Sequence, residues 1–316
     1  MPASLPDQAR AELRNYCGRT GLSLGTLASR MGYTRQTLIQ FSSGHYPAGN
    51  GEVIARAILG YIPAHPVKRP KPPGRLYSTA NVRLIDELLG LSMEGAVSLA
   101  YGPPGTQKTF VCRSRLAEAW ERSSDPDLVY VYAAANMAPL HILKEIGRGL
   151  GTSVYGDRYT VLNNIFHRLE ERQRPAGIII DEAHHLGKRV DTLEVLREIV
   201  DRAGVGMILA GHDNLEDIFM AKRGGPLEQW FSRIDYHKRL PGLSSSEVER
   251  IVRGELGDVS EAGIRAIIEG ARVKDYREGS TYISARRVFK ITAQVERSKR
   301  VSTSALEAAA AAVKAN

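Results

Sequence analysis

The sequence predicts an α/β protein with a largely parallel sheet, preceded by an all-α domain and followed by a helical lid. Three observations predict it. Between Ala96 and Tyr236, short apolar runs alternate with segments of helical spacing, as strands joined by crossover helices do. Before Leu76 and after Leu243, apolar residues recur at helical spacing only. A Gly- and Pro-rich loop separates the first apolar run from the helical segment behind it.

That loop reads Tyr101-Gly102-Pro103-Pro104-Gly105-Thr106-Gln107-Lys108-Thr109-Phe110. The run Ala96 to Ala100 leads in, and helical spacing from Phe110 to Trp120 follows. Strand, glycine-rich loop and helix in that order are the context of a polyphosphate site. Gly102 and Gly105 leave room for backbone N–H groups to approach phosphates, and the helix N-terminus adds its positive dipole end. Lys108 can set its ammonium on the β- and γ-phosphates, and Thr109 its hydroxyl on Mg²⁺. Pro103, Pro104, Thr106, Gln107 and Phe110 complete the expected ATP contact. Gln107 stands where this motif has a glycine, and its side chain is expected to crowd the phosphates or reshape the turn.

A second stretch points the same way. Gly177-Ile178-Ile179-Ile180-Asp181-Glu182 is a β-branched run ending in two carboxylates, as in a strand buried on both faces. The C-terminal ends of such strands form the ligand edge of an open α/β sheet. Asp181 is then placed for the Mg²⁺ shell, and Glu182 to orient or deprotonate an attacking water.

The elements follow in order. Asp7 to Gly18 reads as a helix with Ala9, Leu13 and Tyr16 inward. Ser23 to Phe41 is a helix-turn-helix pattern: Leu24, Leu27 and Ala28 face inward, Gly32 suits the turn, and Leu38, Ile39 and Phe41 hold the second helix. Thr34, Arg35, Gln36, Thr37 and Gln40 are left outward, as double-stranded DNA read in its major groove requires. Ser43 to Gly51 is a loop, and Val53 to Tyr61 closes this domain at residue 62. Residues 63–75 are a basic linker with five Pro-region breaks from Ile62 on, at Pro63, Pro66, Pro70, Pro72 and Pro73, stiff and extended by composition. The nucleotide-binding core spans residues 76–242. Its helices are Val82 to Leu89, Leu140 to Leu150, Tyr159 to Glu171 and Thr192 to Arg202; its further strands are Leu128 to Tyr132, Val205 to Ala210 and one entered at Arg233 to Tyr236. The lid, residues 243–316, reads as helices Ser246 to Glu255, Ser260 to Gly270, Ala285 to Lys299 and Thr303 to Ala312. Lys188, Arg189, Lys222 and Arg223 fall in core loops as candidate phosphate contacts on DNA.

Composition narrows the class. The 316 residues are 43% hydrophobic and 25% charged, as in a soluble globular protein. No apolar run reaches the ~18 residues of a membrane span, and Asp7, Arg10, Glu12 and Arg14 occupy the place of a signal peptide's apolar core. No membrane partner is expected. Cys17 and Cys112 lie far apart without metal-ligand spacing, which fits a reducing cytoplasmic location. The net charge of +8 favours a polyanionic partner. His184 and His185 are neighbours expected to diverge on a helix, so no metal site is expected there.

Taken together, the loop, the strand-end Asp181-Glu182, the polar strand end Gly211-His212 and Phe231-Ser232-Arg233 resemble the AAA+ ATPases. With the helix-turn-helix pattern in front, the chain is similar, from about Leu13 to Ala293, to target-DNA-binding transposition ATPases of the phage Mu B type. Its most particular stretches are Phe41 to Val53, Ile180 to Gly187 and Leu227 to Ile234. The resemblance implies an AAA+ P-loop core, ATP and Mg²⁺ as cofactors, and ATP hydrolysis. It implies assembly as a ring or filament of identical subunits on duplex DNA, and delivery of that DNA to a transposase. It assigns Lys108 and Thr109 to the phosphates and Mg²⁺, Asp181 to Mg²⁺ and Glu182 to the water. His212 takes the position of a γ-phosphate sensor that is often Asn. Arg233 becomes an arginine finger toward a neighbour's nucleotide, and Arg287, with Arg286 as the alternative, the lid's γ-phosphate sensor. Two other readings share these residues: a DNA-binding scaffold holding nucleotide without turnover, suggested by Gln107 and His212, and an ATPase serving replication loading, secretion or defence.

Overall fold

Short polar side chains start the N-terminal helices. The hydroxyls of Ser4, Ser23 and Thr34 accept from the backbone N–H of Asp7, Thr26 and Thr37, which satisfies donors that a first helical turn leaves open. The computed structural model describes residues 4–46, 51–172, 175–220, 228–298 and 301–315. Helices α1 (Leu5–Thr20), α2 (Leu24–Arg30), α3 (Arg35–Ser42) and α4 (Gly51–Ala64) bury one cluster around Leu13, Leu27, Leu38, Phe41 and Ile58. Pro63 lies inside α4, so the extended chain begins after Ala64 rather than at the first proline.

Next come α5 (Ala80–Met93), β1 (Val97–Tyr101), α6 (Lys108–Arg122), β2 (Leu128–Tyr132), α7 (Pro139–Leu150) and α8 (Arg158–Glu170). After these follow β3 (Gly177–Asp181), a 3₁₀ turn at Ala183–Leu186, α9 (Val190–Ala203), β4 (Gly206–Gly211), α10 (Asn214–Met220), α11 (Glu228–Phe231) and β5 (Tyr236–Arg239). The five strands lie in the order β2-β3-β4-β1-β5 and every pairing is parallel. β1, β3 and β4 are buried along their whole length, as a sheet with helices on both faces demands. One apolar cluster covers the face toward α7, α8 and α9, another the face toward α5 and α6. The fifth strand of the sheet starts at Tyr236, and Arg233 stands in the turn that leads into it.

The C-terminal part departs from a purely helical reading. Among α12 (Ser245–Leu256), α13 (Glu261–Ala271), α14 (Ala285–Ser298) and α15 (Thr303–Lys314), a hairpin of β6 (Arg272–Lys274) and β7 (Thr281–Ile283) connects α13 to α14. Three-residue strands are too short to show a period of two. Ser244 and Glu247 close a capping box on α12.

The N-terminal helices are fastened to the core. The Arg19 guanidinium donates to Asn15 Oδ1 (2.8 Å), Gly149 O (3.0 Å) and Asp125 Oδ1 (2.6 Å), and lies 4.6 Å over the Trp120 ring. Its side chain is only 3% exposed, and burial pushes its pKa down to about 10. Arg168 and Arg172 also reach Asp125. A Cβ on Gly18 would stand 2.3 Å from the Gly151 carbonyl carbon, so α1 meets the end of α7 backbone to backbone. The Tyr155 hydroxyl donates to Gly21 O.

Breaking this junction leaves a buried guanidinium without its carboxylate, which costs about 3 kcal/mol or more. Asp125→Ala is expected to lose about that much stability in urea denaturation, while exposed Asp258→Ala stays within about 0.5 kcal/mol of the parent.

Candidate nucleotide-binding site

β1 delivers the glycine-rich loop to the sheet edge, and α6 starts on Lys108. Two glycines are required by close approach: a Cβ on Gly102 would stand 2.7 Å from Leu240 O, and one on Gly105 2.2 Å from Ser284 Oγ. Gln107 neither opens the turn nor displaces it. Its backbone keeps a left-handed φ of 68°, the conformation a glycine gives freely. Its side chain turns to α5, where Thr79 donates to Oε1 at 3.0 Å.

Lys108 is folded into its own loop. Nζ donates to Gly102 O (2.8 Å), Pro103 O (3.1 Å) and Thr106 Oγ1 (3.0 Å). Burial pushes its pKa down to about 8, against the raising pull of Glu182, Asp213 and Asp181. A lysine so desolvated gains much from a polyanion in reach.

β3 brings Asp181 to the same edge, 1% exposed. Its Oδ2 accepts from the Tyr130 hydroxyl (2.8 Å), its Oδ1 from the Glu182 N–H (3.0 Å). Burial, then the Asp181 charge, raise the Tyr130 phenol far above its usual range. Glu182 also holds a left-handed φ, 56°, which non-glycine residues adopt at a cost and mostly at functional sites. Its Oε2 is 3.3 Å from His184 Nδ1. That nitrogen also receives the His212 N–H at 3.4 Å. Burial, then the neighbouring His185, His212 and Lys108, push His184 down to about 4, so it is neutral near pH 7.

His184 and His185 do not diverge, because they sit on a 3₁₀ turn and not on an α-helix. The 3₁₀ turn sets the His184 and His185 rings 4.3 Å apart, and their ligating atoms lie within 4.8 Å of one another and of the Glu182 carboxylate. Both rings are held by the chain itself, His184 as above and His185 through Nδ1 to Ala133 O (2.9 Å).

The lid sits on the loop. The Ala285 N–H donates to Gly105 O (3.0 Å) and the Tyr282 hydroxyl to Pro104 O (2.8 Å). Phe110 and Phe289 stack at 5.9 Å. Arg286 Cβ lies over Gly105, and Arg287 donates to Arg272 O at 3.4 Å. His212, Arg286, Arg287 and the loop residues Pro103 to Gly105 line one cavity of about 820 Å³. Arg239 ties the edge together, pairing with Asp213 (2.9 Å), Asp275 (2.6 Å) and Glu278 (2.6 Å). Tyr130, Tyr282 and Arg239 escaped the sequence reading. The only signal was a tyrosine inside a buried strand, whose hydroxyl needs a partner.

Other expected residues lie elsewhere. Arg233 pairs with Asp201 at 3.0 Å and donates to Ser232 Oγ, away from this chain's Lys108. Arg189 pairs with Asp191 at 2.8 Å, and Lys188 is exposed. Thr34, Arg35 and Gln36 are exposed, Thr37 and Gln40 half-buried, and the Thr34 hydroxyl is engaged in capping α3. Lys222, Arg223, Leu227 and Lys299, and the loop segment 47–50, lie outside the described residues.

Residues 92–219 match the family model described as an AAA domain. The fold is similar to that of the ORC1 protein of Aeropyrum pernix, solved in complex with DNA: TM-score 0.51, 19% identity, 74% of this chain and 64% of that one. More distant are PCH-2 of C. elegans (TM-score 0.44, 17% identity, 74% and 66%) and domain III of Thermotoga maritima DnaA (0.48, 14%, 74% and 92%). The chain thus spans about two thirds of the ORC1 and PCH-2 chains it matches. No curated protein matches its sequence. Among the described residues no helix is long and apolar enough to cross a membrane. Residues 92–219 are thus similar to an AAA domain, and the parallel sheet with its surrounding helices has the AAA+ P-loop fold.

Proposed function

We propose that this protein binds Mg-ATP, hydrolyses it, and uses that cycle to assemble on duplex DNA. The observation that carries the reading is the meeting of the Lys108 ammonium, folded into its own loop, with a buried carboxylate, Asp181, and the adjacent Glu182 at one sheet edge. The donor set fits: the Thr109 hydroxyl and Asp181 carboxylate are hard oxygen ligands of the kind Mg²⁺ takes. Bound there, the ion would neutralise phosphate charge. Backbone N–H groups of the Gly102–Phe110 loop and Lys108 would hold the triphosphate. Glu182 would orient the attacking water and take its proton. His212 and Arg287, or Arg286, would face the γ-phosphate from the cavity they share. Arg233 would leave Asp201 to reach the nucleotide of a neighbouring subunit, which requires a ring or filament.

Thr34, Arg35, Gln36, Thr37 and Gln40 would read or track duplex DNA, with Lys188 and Arg189 as further contacts. Delivery of that DNA to a transposase is the task supported by the resemblance to transposition ATPases. A scaffold that keeps its nucleotide is the second reading, favoured by one observation: the Glu182 carboxylate is packed against the His184 ring, Oε2 3.3 Å from Nδ1.

Phosphate release and binding separate the two. In the presence of duplex DNA, Glu182→Gln is expected to slow phosphate release about 100-fold or more with Mg-ATP affinity kept within a few-fold. Equal rates for parent and variant would favour the scaffold. DNA affinity should rise with ATP, and the same anisotropy with and without nucleotide would refute ATP-driven assembly.

The pH dependence has a definite sign. Below about pH 8 Lys108 is already charged, and Mg-ATP affinity should be flat. Above it the free protein must take up a proton to pair with the triphosphate, so affinity should fall by up to about tenfold per pH unit. Calorimetry in buffers of different ionisation enthalpy should show this uptake, and Lys108→Ala should abolish both binding and uptake.

A further inference from the structure

A cleft of about 1,340 Å³ lies between the N-terminal helices and α8, away from the nucleotide site. Arg14 of α1, Arg30 at the end of α2 and Arg35 at the start of α3 line one wall. All three are exposed, and none has an ion-pair partner among the described residues. The other wall comes from the core, with Asn164, His167 and Arg168 of α8. Arg168 is already committed to Asp125. Two carboxylates, Glu12 and Glu171, also line the space, so three uncommitted guanidiniums face two acids.

The walls are fixed relative to one another. Arg19 pins α1 to the core through Asp125, Gly149 O and the Trp120 ring, and Gly18 abuts Gly151. A preset cleft loses little freedom when filled. Arg35 also lies across the start of α2, its Cδ 3.3 Å from where a Gly25 Cβ would be, and so joins the cleft to the exposed outer face of α3.

We propose that this cleft seats one phosphate strand of duplex DNA, with Arg14, Arg30 and Arg35 on the phosphates and α8 against the same strand. The N-terminal helices and the core then hold the duplex jointly. The proposal rests on the DNA-binding reading above and deepens it, because α3 alone offers few uncommitted cations. Contacts of this kind position a duplex without reading its sequence, and each one releases counterions.

Fluorescence anisotropy of the full chain with a labelled duplex, from about 50 to about 200 mM salt, tests it. Arg14→Gln/Arg30→Gln should weaken binding about tenfold at the low-salt end for every duplex sequence, and reduce the slope of log affinity against log salt by about two. On the opposite wall, Asn164→Asp/His167→Glu should weaken binding while leaving the N-terminal helices intact. Mg-ATP affinity equal to the parent's in all variants checks that the core is folded. A parent that binds duplex, with both double variants matching it in affinity and slope, overturns the cleft and spares the DNA reading. A parent that binds no duplex with or without ATP overturns both. Loss of polyglutamate binding in the variants, with duplex binding unchanged, would assign the cleft to an acidic peptide and overturn the proposal.

Discussion

Parallel pairing is the constraint on which the site depends. When every strand runs the same way, every carboxyl end arrives at one edge of the sheet. Tyr101 sits opposite Gly211, and Ile180 opposite Leu209, so the loop after β1, the acids at the end of β3 and His212 after β4 converge although they are far apart in sequence. Crossover helices on both faces keep this edge open while burying the strands. The charges gathered there are costly in a dry setting, and the structure offsets the cost locally. Lys108 turns onto three loop oxygens, and Asp181 takes the Tyr130 hydroxyl and a backbone N–H.

The lid makes that edge a junction between two bodies. Ala285 and Tyr282 bond directly to loop carbonyls, and Arg239 links Asp213 beside His212 to Asp275 and Glu278 in the lid hairpin. A shift at the loop is therefore felt by α14, and a shift at β4 by the hairpin. This is a physical connection between the glycine-rich loop, the end of β4 and the C-terminal hairpin.

Much of this was legible in the residues. The Ile178–Ile180 run and the alternation of apolar runs with helical segments each state a local preference that the fold obeys. The loop and the strand-end acids were readable because each motif carries its own structural context. The hairpin at Arg272–Ile283 was not, since three residues cannot display a period. Nor was the behaviour of Gln107: sequence shows a side chain where a glycine is usual, and only the backbone angle and Thr79 show where it goes. The closeness of His184 and His185 was missed because a tighter turn replaced the α-helix assumed there. The ion pair of Arg233 with Asp201 joins residues more than thirty apart, beyond any local pattern.

The proline-rich stretch after α4 suggests a modular protein whose front end could be grafted or trimmed at will. Arg19 argues otherwise. Its guanidinium fills a socket formed by the Trp120 ring, the Gly149 carbonyl and Asp125, all supplied by the core. A transplanted head group would therefore have to bring an equivalent key, and a headless core would expose an aromatic ring and a carboxylate shaped for one. The covalent tether leaves from α4 while the physical attachment is made by α1, so the two pieces should be inherited and engineered as a unit.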